Sequence, residues 1–229
     1  MADKREEILL KAKPILFNTD MIRAILDGRK TVTRRVLKNQ DPNRIFNFDY
    51  VLDKNSVIYA VDLYCDNGNN GYWTLENKAP YFEGDILYVR ETFANLTRSD
   101  GTYKYVYKST DEYPFGEKYI VKFKWHPSIH MPKEAARIFL RVTNVRVERL
   151  QDITESEAEK EGLQYYDDIC QDEDWHPTFY DPDSGGDPST VAGFSRLWDR
   201  TIKKSDIAKY GWAANPYVWV IEFERIDLK

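Results

Sequence analysis

Apolar positions along this chain recur with two different periods. Over residues 20–27, Met21, Ile22, Ile25 and Leu26 fall at helical spacing. Asn18 or Thr19 stands ready to cap that helix, and Gly28 supplies the left-handed position that ends it. Residues 154–162 predict a second helix, with Thr154 and Glu157 as a capping box and Gly162 as the stop. A third is predicted over 190–203, where Val191, Phe194, Leu197, Trp198 and Ile202 share a face. Strand patterns cover 13–17, 86–93 (opened by Gly84-Asp85), 103–107, 119–125 and 217–226. Residues 138–150 also alternate, with one slip near Thr143 that predicts a bulge. Residues 46–75 are aromatic and β-rich, broken by the turn cluster at 66–71. The stretch 164–188 is too long for an ordinary connection and reads as a lid or an insertion. With no internal repeat and no clean linker, the pattern predicts a single α+β domain dominated by strands.

Composition narrows the class. The chain has 229 residues, 42% hydrophobic and 31% charged, ordinary proportions for a soluble globular protein. No apolar run approaches the roughly 20 residues of a membrane helix, and the opening MADKREEILLKAK lacks a signal-peptide core, so a cytoplasmic protein with no membrane partner is expected. Cys65 and Cys170 are read as free or buried thiols rather than a disulfide or metal site. The 33 Lys and Arg against 38 Asp and Glu leave a net charge of −5, which excludes coating nucleic acid by charge alone. Positive charge nonetheless gathers at 29–38 and 133–149, and negative charge at 167–187, so a local basic surface is compatible with the total. The 16 tyrosines and 6 tryptophans suit base stacking and suit a small barrel core equally.

Familiar catalytic signatures are absent. There is no phosphate-binding loop, CxxC, HExxH or GxSxG, and neither a metal nor a cofactor is expected. His126 and His130 are four apart, but Pro127 and Pro132 disfavour a helix between them. The segment His126-Pro127-Ser128-Ile129-His130-Met131-Pro132 reads instead as a rigid loop lining a pocket. By local physics alone, Lys30 is a helix-end cation, Thr33 a strand threonine and Glu161 a surface helix residue. Glu161 falls in the last turn of its helix, where a carboxylate opposes the helix dipole by about 0.3–1 kcal/mol, with Lys160 beside it to offset the cost.

Gly28-Arg29-Lys30-Thr31-Val32-Thr33, followed by Arg35, resembles the G-x-K-x-x-T-x-R signature of the ASCH superfamily, a branch of the PUA-like barrels. Gly84-Asp85-Ile86-Leu87-Tyr88-Val89 is similar to that family's GD-hydrophobic strand. Residues 154–161 resemble its short acidic helix, and Val220-Ile221-Glu222-Phe223 its closing strand. The resemblance covers roughly half of the chain. It implies a PUA-like mixed β-barrel with flanking short helices and insertions near 39–82, 94–133 and 164–215. Longer ASCH-like proteins of bacteriophages and prophages share the Pro-Ser-Ile-His-Met-Pro segment and the Asn215-Pro216 aromatic ending.

Small members of the family are amidohydrolases that remove the acyl group from N4-acetylcytidine. Matched residue by residue, the resemblance implies Lys30, Thr33 and Glu161 as catalytic, with Arg34, Arg35, Trp125 and His130 expected to bind the substrate. The chemistry is coherent. A threonine hydroxyl needs a base, and a lysine serves as one only when burial or neighbouring cations depress its pKa. Lys30 and Thr33 are three apart and on a regular strand would face opposite ways, so the chain must turn between them. Three readings stand beside this one: an RNA- or modified-base-binding module without chemistry, a nuclease, and a phage accessory protein that docks a host protein through its acidic segment. The expected partner is a small nucleoside or modified base, with RNA as the alternative; oligomeric state is not legible.

Overall fold

The computed structural model describes residues 4–38, 40–66, 68, 72–97, 103–110, 124–163 and 189–227. In chain order the helices are α1 (Lys4–Lys11), α2 (Thr19–Leu26), α3 (Glu155–Lys160), α4 (Thr190–Thr201) and α5 (Ile207–Tyr210). The strands are β1 (Lys13–Leu16), β2 (Val32–Val36), β3 (Ile45–Leu52), β4 (Ile58–Asp66), β5 (Tyr72–Lys78), β6 (Ile86–Arg90), β7 (Phe93–Thr97), β8 (Tyr103–Tyr107), β9 (Phe139–Arg149) and β10 (Tyr217–Ile226). The protein is therefore mixed α+β with strands predominating. Among the described residues no sheet closes on itself, and no helix is long and apolar enough to cross a membrane.

The chain divides into two compact units. The first comprises residues 1–28, 85–141 and 224–229; the second comprises 29–84 and 142–223. In the first, β1 pairs in parallel with β6, and β6 pairs antiparallel with the start of β9. A separate hairpin of β7 and β8 runs in register from Phe93↔Tyr107 to Thr97↔Tyr103. Phe93, Met131, Ala135, Ala136 and Phe139 form its core, against which Ile8 and Leu9 of α1 pack. That packing, with Arg5 Nη2 donating to the carbonyls of Glu134 (2.9 Å) and Ala136 (3.0 Å), holds a helix too short to stand on propensity alone. The pattern over 4–11 did not announce this helix.

In the second unit β10 lies between β9 and β2. Val32 from β2, Val218 and Val220 from β10, Leu150, Ile153 and Ala158, and Phe194 and Trp198 of α4 form its core. A second sheet, in order β3-β4-β5, belongs to the same unit. The β-rich segment expected over 46–75 contains two turns, not one. Besides the cluster after Asp66, the chain reverses at Asp53, whose Oδ1 accepts from the backbone N–H groups of Asn55 (2.8 Å) and Val57 (3.0 Å), with Ser56 at φ 62°.

The capping grammar matches closely. Asn18 Oδ1 accepts from Met21 N–H, the Thr154/Glu157 box is reciprocal, and Gly28 and Gly162 adopt φ of 79° and 100°. In β9 the alternation slips where Thr143 and Asn144 are both exposed. The strand expected over 86–93 breaks after Arg90. Glu91 N–H turns to Met131 Sδ at 3.2 Å, and Phe93 begins a different ladder. Of the strand expected over 119–125, residues 119–123 lie outside the described residues and 124–125 are not strand. The segment 164–188, with Cys170, also lies outside them. Cys65 is buried and free, its thiol pushed up by burial and by Asp41.

Leu150 is completely buried in the second unit's core. Leu150→Ala is expected to cost about 2–5 kcal/mol. Urea unfolding should show the midpoint falling with an unchanged slope; a loss well under 1 kcal/mol would contradict the packing described.

Candidate active site

The signature tract begins where α2 stops at Gly28. Its first residues are tied down by backbone bonds: Thr31 N–H donates to the Lys160 carbonyl at 2.9 Å, and Phe223 N–H to the Thr31 carbonyl at 2.9 Å. Arg29 Nη1 donates to the Gly162 carbonyl at 2.6 Å. These bonds bring the tract against the end of α3 before β2 starts. Strand β2 then pairs antiparallel with β10, Val32↔Glu222 through Val36↔Val218. Alternation puts Val32, Arg34 and Val36 on the face that carries the core, and Thr33 and Arg35 on the other.

Lys30, read from local physics as a helix-end cation, is one of the most buried side chains in the protein, at 2% exposure. Its ammonium donates to three acceptors: the Val32 carbonyl (2.8 Å), the Glu161 carbonyl (2.9 Å) and Glu161 Oε2 (2.6 Å). Glu161 is itself buried at 3% exposure and is the C-cap of α3. An orphan carbonyl at a helix end and an unfavourably placed carboxylate thus meet one cation, which answers both. The other carboxylate oxygen, Oε1, accepts from Arg34 Nη1 at 3.2 Å.

Thr33 is buried too, and its Oγ1 accepts from Arg35 Nη1 at 2.6 Å. Of the three residues expected to be catalytic, Lys30 and Glu161 are in direct contact, whereas Thr33 bonds Arg35, whose charge acts on Lys30. Burial pushes the Lys30 pKa down from its ordinary 10.5; Glu161 opposes the shift, while Arg35 and Arg34 add to it. Burial also lowers the half-buried Arg35, against the pull of Glu161 and Tyr81. Lys30, Glu161 and Arg35 therefore share one electrostatic neighbourhood, and Thr33 borders it through its bond from Arg35.

Arg34 was expected to face a ligand. Its side chain has 0% exposure, and its guanidinium is held by Glu148 at 2.5 Å, Glu161 at 3.2 Å and Glu157 at 3.4 Å. Any ligand contact by Arg34 would require that carboxylate set to open. Lys30, Thr33 and Glu161 belong to the second unit, and Trp125 and His130 to the first. There Trp125 is half-buried against Ala94, Leu96 and Val106, and His130 is exposed at the end of a single 3-10 turn, Ser128–His130. Sequence reasoning missed Arg146, Glu148 and Glu222 and saw Glu157 only as a cap. One signal was available: Arg34 sits between Val32 and Val36 at core phase, and a buried cation demands carboxylates. Among the described residues, no group of three or more His, Cys, Asp and Glu side chains is arranged to hold a metal ion.

Comparison of the chain with protein-family models, curated proteins and solved structures gave no significant match.

The depressed Lys30 pKa makes a signed prediction. Between its folded value and 10.5 the unfolded chain binds the proton that the folded chain has released. Stability of the wild-type chain relative to Lys30→Met should therefore rise as pH rises through that window, and fall as pH falls. Denaturant unfolding of both chains across that range measures the difference; a pH-independent difference would contradict the depressed value.

Proposed function

We propose that this chain is an ASCH-type protein of PUA-like barrel architecture, and that its Lys30–Glu161 pair with Thr33 forms the centre of an amidohydrolase acting on an acylated nucleobase or nucleoside. N4-acetylcytidine is the concrete candidate. The observation that carries this reading is the solvent-excluded Lys30 ammonium, pushed toward its neutral amine and bonded to Glu161 Oε2 at 2.6 Å. Burial of a lysine is how proteins obtain a base from a group that is otherwise protonated.

In this reading neutral Lys30 takes the proton from Thr33 Oγ1 as that oxygen attacks the acyl carbonyl. Arg35, which already donates to Thr33 Oγ1, stabilises the alkoxide and then the tetrahedral oxyanion. Collapse breaks the bond between the acyl carbon and the base nitrogen, and Lys30 returns its proton to the departing amine. Water then attacks the acyl-threonine, losing a proton to Lys30; collapse breaks the bond from the acyl carbon to Thr33 Oγ1, Lys30 returns that proton to Oγ1, and the carboxylic acid leaves. The setting that accompanies this reading is the cytoplasm of a bacterium carrying a phage or prophage, and the net charge of −5 favours a small substrate over a polymer.

One observation favours a second reading, a module that binds RNA or a modified base without chemistry. All three protons of the Lys30 ammonium already have acceptors, which suits a permanent cross-link as well as a resting base. In that case Arg35 contacts a base edge or phosphate.

Chromatographic assay of N4-acetylcytidine deacylation separates the two. The hydrolase reading expects turnover, reduced about 10²–10⁴-fold by Lys30→Ala and by Thr33→Ala in folded protein. No turnover above background, or turnover unchanged in both variants, sinks it. Salt-sensitive RNA affinity weakened by Arg35→Ala would then support the binding reading.

A further inference from the structure

The Lys30–Glu161 pair is one end of a longer chain of charges in the second unit. Arg34 Nη1 holds Glu161 Oε1 at 3.2 Å while Lys30 holds Oε2 at 2.6 Å. On its other side Arg34 donates through Nε (3.0 Å) and Nη2 (2.5 Å) to Glu148 Oε1, and Nη2 stands 3.4 Å from Glu157 Oε2. Arg146 gathers the remaining carboxylate oxygens, Glu148 Oε2 at 3.2 Å and Glu157 Oε1 at 2.6 Å, and also binds Glu222. Arg34 fills a position that the G-x-K-x-x-T-x-R signature leaves open. Its burial is complete, and the Phe194 ring of α4 lies 5.7 Å from its Cζ.

We propose that Arg34 is a positioning residue for the site: it pins one oxygen of Glu161, leaves the other for Lys30 alone, and is itself held in place by Glu148 and Glu157. This rests on the catalytic reading of Lys30. A carboxylate gripped on both oxygens cannot take up a proton without losing a partner. Glu161 therefore acts as a clamp with both oxygens engaged, and the proton lifted from Thr33 remains on Lys30 until the leaving amine accepts it. The guanidinium does a second thing. Its positive charge adds to that of Arg35 in pushing Lys30 toward the amine, after burial and against Glu161. Among the described residues, the charged and titratable groups in or adjoining this cluster include Arg34 and Arg35 from β2, Tyr81 acting on Arg35, Arg146 and Glu148 from β9, Glu157 from α3 and Glu222 from β10. A residue that only supported the fold would change stability without moving the activating limb of kcat.

The test is an NMR titration of the Lys30 Cε resonance, assigned by its loss in Lys30→Arg, together with the pH profile of N4-acetylcytidine deacylation. Arg34→Gln should move the Lys30 titration upward by about half a unit or more, and Arg34→Lys should restore most of it. Glu148→Gln keeps the acceptor but removes a negative charge from Arg34, so it should move the titration the opposite way. The activating limb of kcat should follow in each case with KM unchanged. If Arg34→Gln does not fold, Arg34→Lys and Glu148→Gln still decide, because the latter must shift downward. A Lys30 titration unmoved in the folded variants overturns the role of Arg34 even where the wild-type chain turns substrate over. Absence of turnover in the wild-type chain overturns the hydrolase reading, and the proposed role with it.

Discussion

An ammonium group removed from water governs the arrangement of the second unit. Desolvating a lysine costs several kcal/mol unless its protons all find acceptors in good geometry. Lys30 meets that demand with two carbonyls and one carboxylate from two distant stretches of chain, Val32 at the start of β2 and Glu161 at the end of α3. The helix must therefore end at residue 161, and Gly162 turns the backbone away at φ 100°. Thr31 and Arg29 bond the carbonyls of Lys160 and Gly162 on either side. The junction of tract and helix is thus bonded through three successive residues of α3 and its exit. Removing the cation would leave carbonyls and a carboxylate facing one another.

Charge in this unit is graded with depth. Lys30 and Arg34 are excluded from solvent, Glu161 nearly so, Glu148 and Glu157 are partly open, and Glu222 is the most exposed of the set. Cations and carboxylates alternate along the series, so Arg34 and Glu161 each have opposite charge on more than one side. Burial by itself would raise Glu157, yet the Thr154 backbone bond with Arg34 and Arg146 brings it below the usual carboxylate range. Arg146 shows the mirrored case: burial lowers it, and Glu148 with Glu222 more than compensates. One capping-box glutamate thereby ties helix initiation to the interior charges.

What could be read from sequence was what depends on neighbours a few residues away. The caps at Asn18 and Thr154, the stops at Gly28 and Gly162 and the slip at Thr143 are local devices, and their geometry follows from residue type. The missing pieces depend on distant partners. Helix α1 forms because Ile8 and Leu9 find Phe93 and Met131. The break after Arg90 exists because Glu91 is drawn to Arg137, at 2.8 Å, and to Ser109. In the candidate site, the signature pointed to Lys30, Thr33 and Glu161, but not to the burial of Arg34 or to Glu148, 114 residues away along the chain. Only the phase of Arg34 between Val32 and Val36 carries that information, whereas the resemblance points to Arg34 as a substrate contact.

The count of protons on Lys30 has a mechanical side. An ammonium has three N–H donors for its three acceptors; an amine has two, and its lone pair is repelled by any carbonyl or carboxylate it faces. Each loss of a proton must therefore release one of the ties that join the start of β2 to the end of α3. Protonation state and the tightness of this seam become a single variable. A group able to work as a base here would loosen its own scaffold each time it is ready to act.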